Sequence, residues 1–274
     1  MLRYPRIAVP LAAIALITSN ALAAPTLPGI NARWDNCYAD GGVMNKAFAC
    51  DRNTGSELIV LSAQLETEMA DISGMEIRIS LKPAAPTLPA WWLFRTNGLT
   101  DDGCRPTSLS FIASPVLDPG TCVDWGQGQQ MGGIGRYRID DIGPGTAVIV
   151  IASAVAPSNL AHFDPGTEYV VGALRINHAN TVGTGSCAGC NTPVCLLFTS
   201  LDITTPVLAN DRIFSSGANG VDSQIVHWQA GQLTNLVNHC TGTFSCTTQF
   251  ECANIASPTS TRQSTWGAVK ALYR

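Results

Sequence analysis

Charge is scarce in this chain. Only 13% of its 274 residues are Asp, Glu, Lys or Arg, and the formal net charge is −4. No stretch clusters Lys and Arg, so a phosphate backbone finds no counter-charge and nucleic acid is excluded as a partner. Beyond residue 23 no run is long and apolar enough for a spanning helix, so no membrane span is expected. Catalytic signatures are missing too: there is no Gly-x-Ser-x-Gly nucleophile turn and no His-Glu-x-x-His zinc helix. The four histidines, His162, His178, His227 and His239, are scattered, without the spacing of a base and its orienter. Long amphipathic helix patterns are also lacking.

What is present begins with a processing signal. Arg3 and Arg6 give a positive start, residues 7–18 are apolar apart from Pro10, and Ala21-Leu22-Ala23 is a small-x-small cleavage site. Residues 1–23 are therefore expected to be a signal peptide, with the product secreted: extracellular, at the cell surface or periplasmic. Ten cysteines follow it, an even count that in an exported chain implies disulfides. Cys37 and Cys50 form one near pair, and Cys104 and Cys122 another. Cys187, Cys190 and Cys195 make a trio, as do Cys240, Cys246 and Cys252. If the near pairs close locally and each trio closes one internal bridge, the remaining two thiols tie the central loop to the C-terminal trio. Cys187 and Cys190 also have half-zinc-site or redox spacing, but the exported compartment favours structural disulfides.

The chain then reads as short strands. Alternation over 57–65 and 74–81 sets Ile59, Leu61, Ala63 and Leu65, then Met75, Ile77, Ile79 and Leu81, each on one face. Further strands are expected at 90–94, 107–113, 146–155, 168–176, 195–203 and 224–228. The 146–155 run is apolar almost throughout and reads as buried on both faces. In 168–176 the apolar parity switches beside Gly172, which marks a bulge. Asp118-Pro119-Gly120-Thr121, Asp164-Pro165-Gly166-Thr167 and Pro144-Gly145-Thr146 are turns, with Pro fixing φ and Gly supplying positive φ. Gly126-Gln127-Gly128-Gln129-Gln130-Met131 fails the dinucleotide spacing, because Met131 stands where the third Gly belongs. The stretch 126–135 reads as a flexible loop. The segment 25–49 reads as an irregular cap held by its own bridge.

Eight or nine short strands with Pro/Gly turns predict an all-β chain. The expected architecture is an antiparallel β-sandwich of jelly-roll or Ig/cohesin-like type, with disulfide-fixed loops. The sandwich spans residues 24–228. Residues 229–256 form a Cys-rich extension with few strand signals, 257–265 a linker, and 266–274 a tail. The tail places Trp266, Val269 and Tyr273 at helical spacing, a short helix marginal on its own that either frays or caps the sandwich, or is presented to a partner such as an export or attachment system.

Function is sought among the aromatics. Trp91, Trp92, Trp125 and Tyr137 fall in loops or at strand ends, and adjacent Trp91 and Trp92 in a strand would face opposite sides. One exposed Trp on a rigid scaffold would stack on a sugar ring or bury a partner side chain. Asp101-Asp102 and Asp140-Asp141 are paired acids of the kind that ligate Ca2+, though without EF-hand spacing. The stretch Asp71-Ile72-Ser73-Gly74-Met75-Glu76-Ile77-Arg78-Ile79-Ser80-Leu81 resembles the early strand of cohesin-like and carbohydrate-binding sandwiches. The wider combination of Ala90-Trp91-Trp92, Gly185-Ser186-Cys187-Ala188-Gly189-Cys190 and the Trp266 tail resembles secreted β-sandwich proteins of environmental bacteria. That resemblance implies a fold rather than an activity. The leading expectation is a non-catalytic module binding an extracellular polysaccharide or protein surface. The alternatives are a glycosidase-type hydrolase, which needs two carboxylates facing one cleft, and a structural subunit of an extracellular assembly.

Overall fold

A computed structural model describes residues 29–95, 103–117, 120, 122–215, 223–240 and 246–254, with backbone alone for 235–240, 246–249 and 254. The signal segment, Asp101, Asp102, the 257–265 linker and the 266–274 tail lie outside the described residues. The strands are β1 Gly29–Trp34, β2 Asn45–Lys46, β3 Ser56–Gln64, β4 Met69–Ile72, β5 Gly74–Pro83, β6 Leu109–Ile112, β7 Val123–Asp124 and β8 Met131–Ile139. They continue as β9 Ala147–Ala154, β10 Ala161–Phe163, β11 Glu168–Asn177, β12 Val194–Thr204, β13 Arg212–Ser215, β14 Ile225–Trp228, β15 Gly231–Cys240 and β16 Cys246–Asn254. Helical structure among the described residues is limited to three single 3-10 turns.

Two sheets carry the fold. The first runs β1-β3-β11-β6, with β7 added in parallel to β11. The second runs β2-β14-β12-β5-β9-β8, and β13 pairs with the far half of β12, in line with β14. Their alternating apolar residues meet in one core. Ile59, Leu61 and Ala63 of β3 and Leu174 and Ile176 of β11 pack with Ile77, Ile79 and Leu81 of β5, Ile149 and Ile151 of β9, and Phe198 and Leu201 of β12. The arrangement is all-β and sandwich-like, mostly antiparallel.

Register shifts re-aim two long strands. In β11 the register shifts between Val170 and Gly172, and the inward parity passes from Tyr169 and Val171 to Leu174 and Ile176. In β12 it shifts between Phe198 and Ser200, moving the inward set from Leu196 and Phe198 to Leu201 and Ile203. The Asp164–Thr167 turn closes as expected, with Gly166 at φ +73° and the Thr167 N–H donating to the Asp164 carbonyl at 3.4 Å. Of Asp118-Pro119-Gly120-Thr121 only Gly120 is described.

Several expectations need correction. Residues 29–34 are not cap but a buried edge strand, β1, fastened to the second sheet by the Ala32 N–H on the Ser223 carbonyl at 2.8 Å. Residues 131–135, expected within the 126–135 loop, belong instead to strand β8, the outer strand of its sheet, where a Cβ on Gly132 would lie 2.5 Å from the Ala152 carbonyl of β9. Strand β9 is buried on its inner face but leaves Ala152 and Ala154 exposed on the other. Gly231–Cys240 and Cys246–Asn254, in the extension read as having few strand signals, pair as the hairpin β15–β16, which lies over the outer face of the second sheet and buries Leu197, Ile225 and Phe250 with Cys195 and Cys252.

Four disulfides brace the described residues: Cys37–Cys122, Cys50–Cys190, Cys104–Cys187 and Cys195–Cys252. The last is the expected tie between central loop and C-terminal trio. The local pairs do not form. Cys37 packs with Val60 and Val170 in a cluster separate from the main core that Cys50 touches. Cys104 and Cys122 stand at opposite ends of β11, one near Asn180 and the other beside Val123, which pairs with Tyr169. Nor does the central trio close on itself, since all three of its thiols bond elsewhere. Backbone register sets Cys240 opposite Cys246.

Candidate functional site

The aromatics singled out in the sequence do not form an exposed platform. Ala90–Trp92 is a 3-10 turn, not a strand, entered from Pro89 at φ −64°. Three residues per turn separate neighbouring side chains by about 120° instead of 180°, so both Trp91 and Trp92 turn inward, each 0% exposed. Trp91 stacks on Trp228 at 5.2 Å and meets Trp92 edge-on at 5.1 Å. Its indole N–H donates to Thr181 Oγ1 at 3.0 Å, and the Trp228 N–H to the Cys190 carbonyl at 2.7 Å. Tyr137 is buried and donates to the Trp92 carbonyl at 2.6 Å; burial pushes its phenol far above the ordinary value. Trp125 is buried as well. Trp91 and Trp228 anchor the Cys-rich loop to the core.

Arg105 completes that anchor. It is fully buried, its guanidinium 3.5 Å from the Trp91 ring centre. Nε donates to the Ala179 carbonyl and Nη1 to the Trp91 carbonyl, both at 2.8 Å, and Nη2 donates to the Asn177 carbonyl. Burial lowers this guanidinium to about 9, so it stays charged at neutral pH.

The titratable groups are mostly structural. His178, almost wholly buried, faces the Thr54 carbonyl through Nδ1 at 2.8 Å, so that nitrogen carries a proton. Its Nε2 lies 3.0 Å from Glu57 Oε1, off the hydrogen-bond direction. Glu57 and Asp35 each hold Lys46 Nζ at 2.8 Å. Burial works to lower Lys46, and the bonds to Asp35 and Glu57 outweigh it and leave its pKa raised. His162 lies on the surface, between Glu68 at 3.5 Å and Asp164 at 3.3 Å. His227 Nδ1 meets Asn45 Oδ1 at 3.0 Å. The His239 side chain lies outside the described set.

Of the acids considered for Ca2+, Asp140 accepts the Gly145 N–H at 2.6 Å and Asp141 pairs with Arg138 at 3.3 Å. Both stabilise the turn before β9. Cys37, Asp40 and Cys122 lie close enough to hold an ion, but both thiols are spent in a disulfide and Asp40 accepts the Cys122 N–H at 2.9 Å. Cys187 and Cys190 are likewise bonded to Cys104 and Cys50, so they are neither a zinc half-site nor a redox pair.

A groove opens at a seam between the two sheets. Here Gly29, at the start of β1, and Gln64, at the end of β3, are paired in register. The turn that follows β3 faces β13 of the second sheet. The groove encloses about 410 Å3 and is lined by Leu65, Glu66, Thr67, Arg212, Ile213 and Phe214 besides Gly29 and Gln64. Arg212 reaches across it, donating from Nη1 to Thr67 Oγ1 at 2.8 Å and from Nη2 to the Glu68 carbonyl at 3.3 Å. Gln64 is 3% exposed; its Nε2 donates to the Gly166 carbonyl, while its Oε1 has no partner among the described residues. Its volume falls in the ordinary range of small-ligand sites, and its lining is more polar than is usual for them.

No family model, curated protein or solved structure matches this chain.

The groove therefore speaks for itself through its chemistry. It offers a cation, a carboxylate and a threonine hydroxyl beside Phe214. Sequence reading missed it because its members come from two segments 145 residues apart at the Arg212–Thr67 contact. Asp202 and Glu76, which pair across strands β12 and β5, do not line it.

Proposed function

We propose that this protein is a secreted, non-catalytic binding module of the cohesin-like sandwich type, recognising an extracellular polymer through the seam groove. The observation that carries this reading is the clip of Arg212 onto Thr67 and Glu68. It fixes a polar rim beside Phe214 and Ile213 before any ligand arrives, and a prearranged site loses little entropy on binding. The disulfides support the compartment, since such bonds persist in oxidising surroundings. A hydrolase would need two carboxylates facing the groove, whereas Glu66 is the one carboxylate among its lining residues. A subunit of a fibre would present an open strand edge. At β8, the outer strand of its sheet, a bulge between Ile134 and Arg136 and the Arg95 bond to the Ile134 carbonyl at 3.4 Å blunt that edge.

The test is retention of the mature protein on a panel of insoluble polysaccharides and immobilised extracellular proteins. Phe214→Ala and Arg212→Ala serve as paired variants. Retention on at least one polymer, weakened about tenfold by each substitution, is the expected result. Retention that neither substitution alters, or no retention at all, refutes the groove as the binding site.

A further inference from the structure

Away from the groove, four tryptophans and a disulfide meet in the core. Trp228 lies 5.2 Å from Trp91, 5.8 Å from Trp92 and 5.9 Å from Trp34, ring centre to ring centre, and all four are 0% exposed. At such spacings an excited indole passes its energy to a neighbour before it emits. Trp228 is the member that reaches the Cys50–Cys190 bridge, its N–H donating to the Cys190 carbonyl at 2.7 Å. The next residue, Gln229, holds the other half: its Nε2 lies 3.3 Å from Cys50 Sγ and donates to the Phe48 carbonyl at 2.5 Å. Trp91 also neighbours a bridge, since its backbone N–H donates to the carbonyl of Ala188, beside Cys187. The two indoles differ in the charge around them. The Arg105 guanidinium stands 3.5 Å from the Trp91 ring centre. An electron vacancy on Trp91 would face that cation, and like charges so close repel strongly away from water. Among the described residues no cation lies over the Trp228 ring.

An excited indole is a strong one-electron reductant, and a disulfide accepts an electron into its S–S antibonding orbital. We infer that Cys50–Cys190 is a photolabile bridge, cleaved by electron transfer from excited Trp228. The electron leaves Trp228 and enters the S–S bond, which breaks into a thiolate on one sulfur and a thiyl radical on the other. A hydrogen bond to sulfur favours the charged product. The Gln229 N–H therefore assigns the thiolate to Cys50 and the thiyl radical to Cys190. The oxidised indole gives up its N–H proton, and the thiolate takes one up. Trp228 ends as a neutral radical, one electron and one proton poorer, and the bridge ends richer by the same two. What opens is the link between the segment before β3 and the Cys-rich loop, while Cys104–Cys187 still holds that loop at its other end. The chemistry is independent of what the groove binds.

To test this, the mature protein is irradiated without oxygen at the red edge of indole absorption, with a nitrone spin trap present. It is then unfolded, alkylated with iodoacetamide and mapped by mass spectrometry against a dark control. The expected result is light-dependent alkylation concentrated on Cys50 and a nitrone adduct on Cys190, with Cys37–Cys122, Cys104–Cys187 and Cys195–Cys252 intact. Trp228→Phe should abolish both marks, whereas Trp91→Phe should leave them. Because Trp228 is a core residue, Gln229→Met serves as a second variant that keeps the indole. In it the alkyl label should spread over Cys50 and Cys190 alike. Thiols that appear evenly across the bridges, or first at Cys104 and Cys187, overturn the assignment. So does cleavage that persists in Trp228→Phe, or none in the unsubstituted protein. A label that stays on Cys50 in Gln229→Met overturns the part given to Gln229.

Discussion

Asp202 is a carboxylate under stress. Its cross-strand neighbours are Glu76 on β5 and Ile213 on β13, and its Oδ1 is buried without a hydrogen-bond partner among the described residues. Burial first, then the charge of Glu76, raise its pKa, with Arg78 pulling the other way. The folded chain thus holds this proton more tightly than the unfolded chain does. Stability contributed by the protonated form is present below the ordinary carboxylate pKa, about 3.9. It is lost as pH rises towards the raised folded value. Asp202→Asn should therefore raise Tm by about 1–3 °C at neutral pH and give no gain at pH 3, read by scanning calorimetry at both. A variant equally destabilised at the two pH values would refute this account. At this scale the sequence was least legible. Nothing beside Cys104 marks Arg105 as buried, because its three carbonyl partners and the Trp91 face come from distant segments.

Among elements, the bulge in β11 shows what one residue decides. Gly172 stands at φ +143°, and a Cβ there would lie 2.3 Å from the Phe111 ring of β6. Gly172→Ala should lower stability by about 2–4 kcal/mol in urea unfolding; a loss under 1 kcal/mol would mean that Phe111 yields freely. This bulge was readable from the parity switch. The equivalent switch in β12 was hidden, because Leu197 is apolar for a different reason: the hairpin covers the outer face on which it lies. Strand β8 and the hairpin were missed on similar grounds. β8 carries three glycines and two arginines and buries only Tyr137, so it lacks the half-apolar pattern that burial imposes. The Trp91-Trp92 pair was misread because a 3-10 turn of three residues is too short to show a period in the sequence.

For the whole molecule, the sandwich class followed from alternation and turns, whereas the bridges did not, since they record which loops meet in space. Cys195–Cys252 is the tie between the β15–β16 layer and the sheet beneath it. Replacing both cysteines by serine should cost about 2–4 kcal/mol. Amide exchange should rise across 231–254 well before it rises in β5, β9 or β11, as followed by mass spectrometry. Uniform acceleration throughout would show instead that hairpin and sandwich melt as a unit.

The order of the thiols along the chain has a consequence for biogenesis. Numbered as they emerge, and leaving aside Cys240 and Cys246, the first bonds the fourth, the second the sixth and the third the fifth. Cys50 must wait for a partner 140 residues downstream. An oxidant that joined each sulfur to the next in chain order would produce Cys37–Cys50 and Cys104–Cys122, both absent from the fold. From that starting point the observed bridges are reached only through thiol exchange, so oxidative refolding of the reduced chain should be faster with a disulfide isomerase than with an oxidant alone.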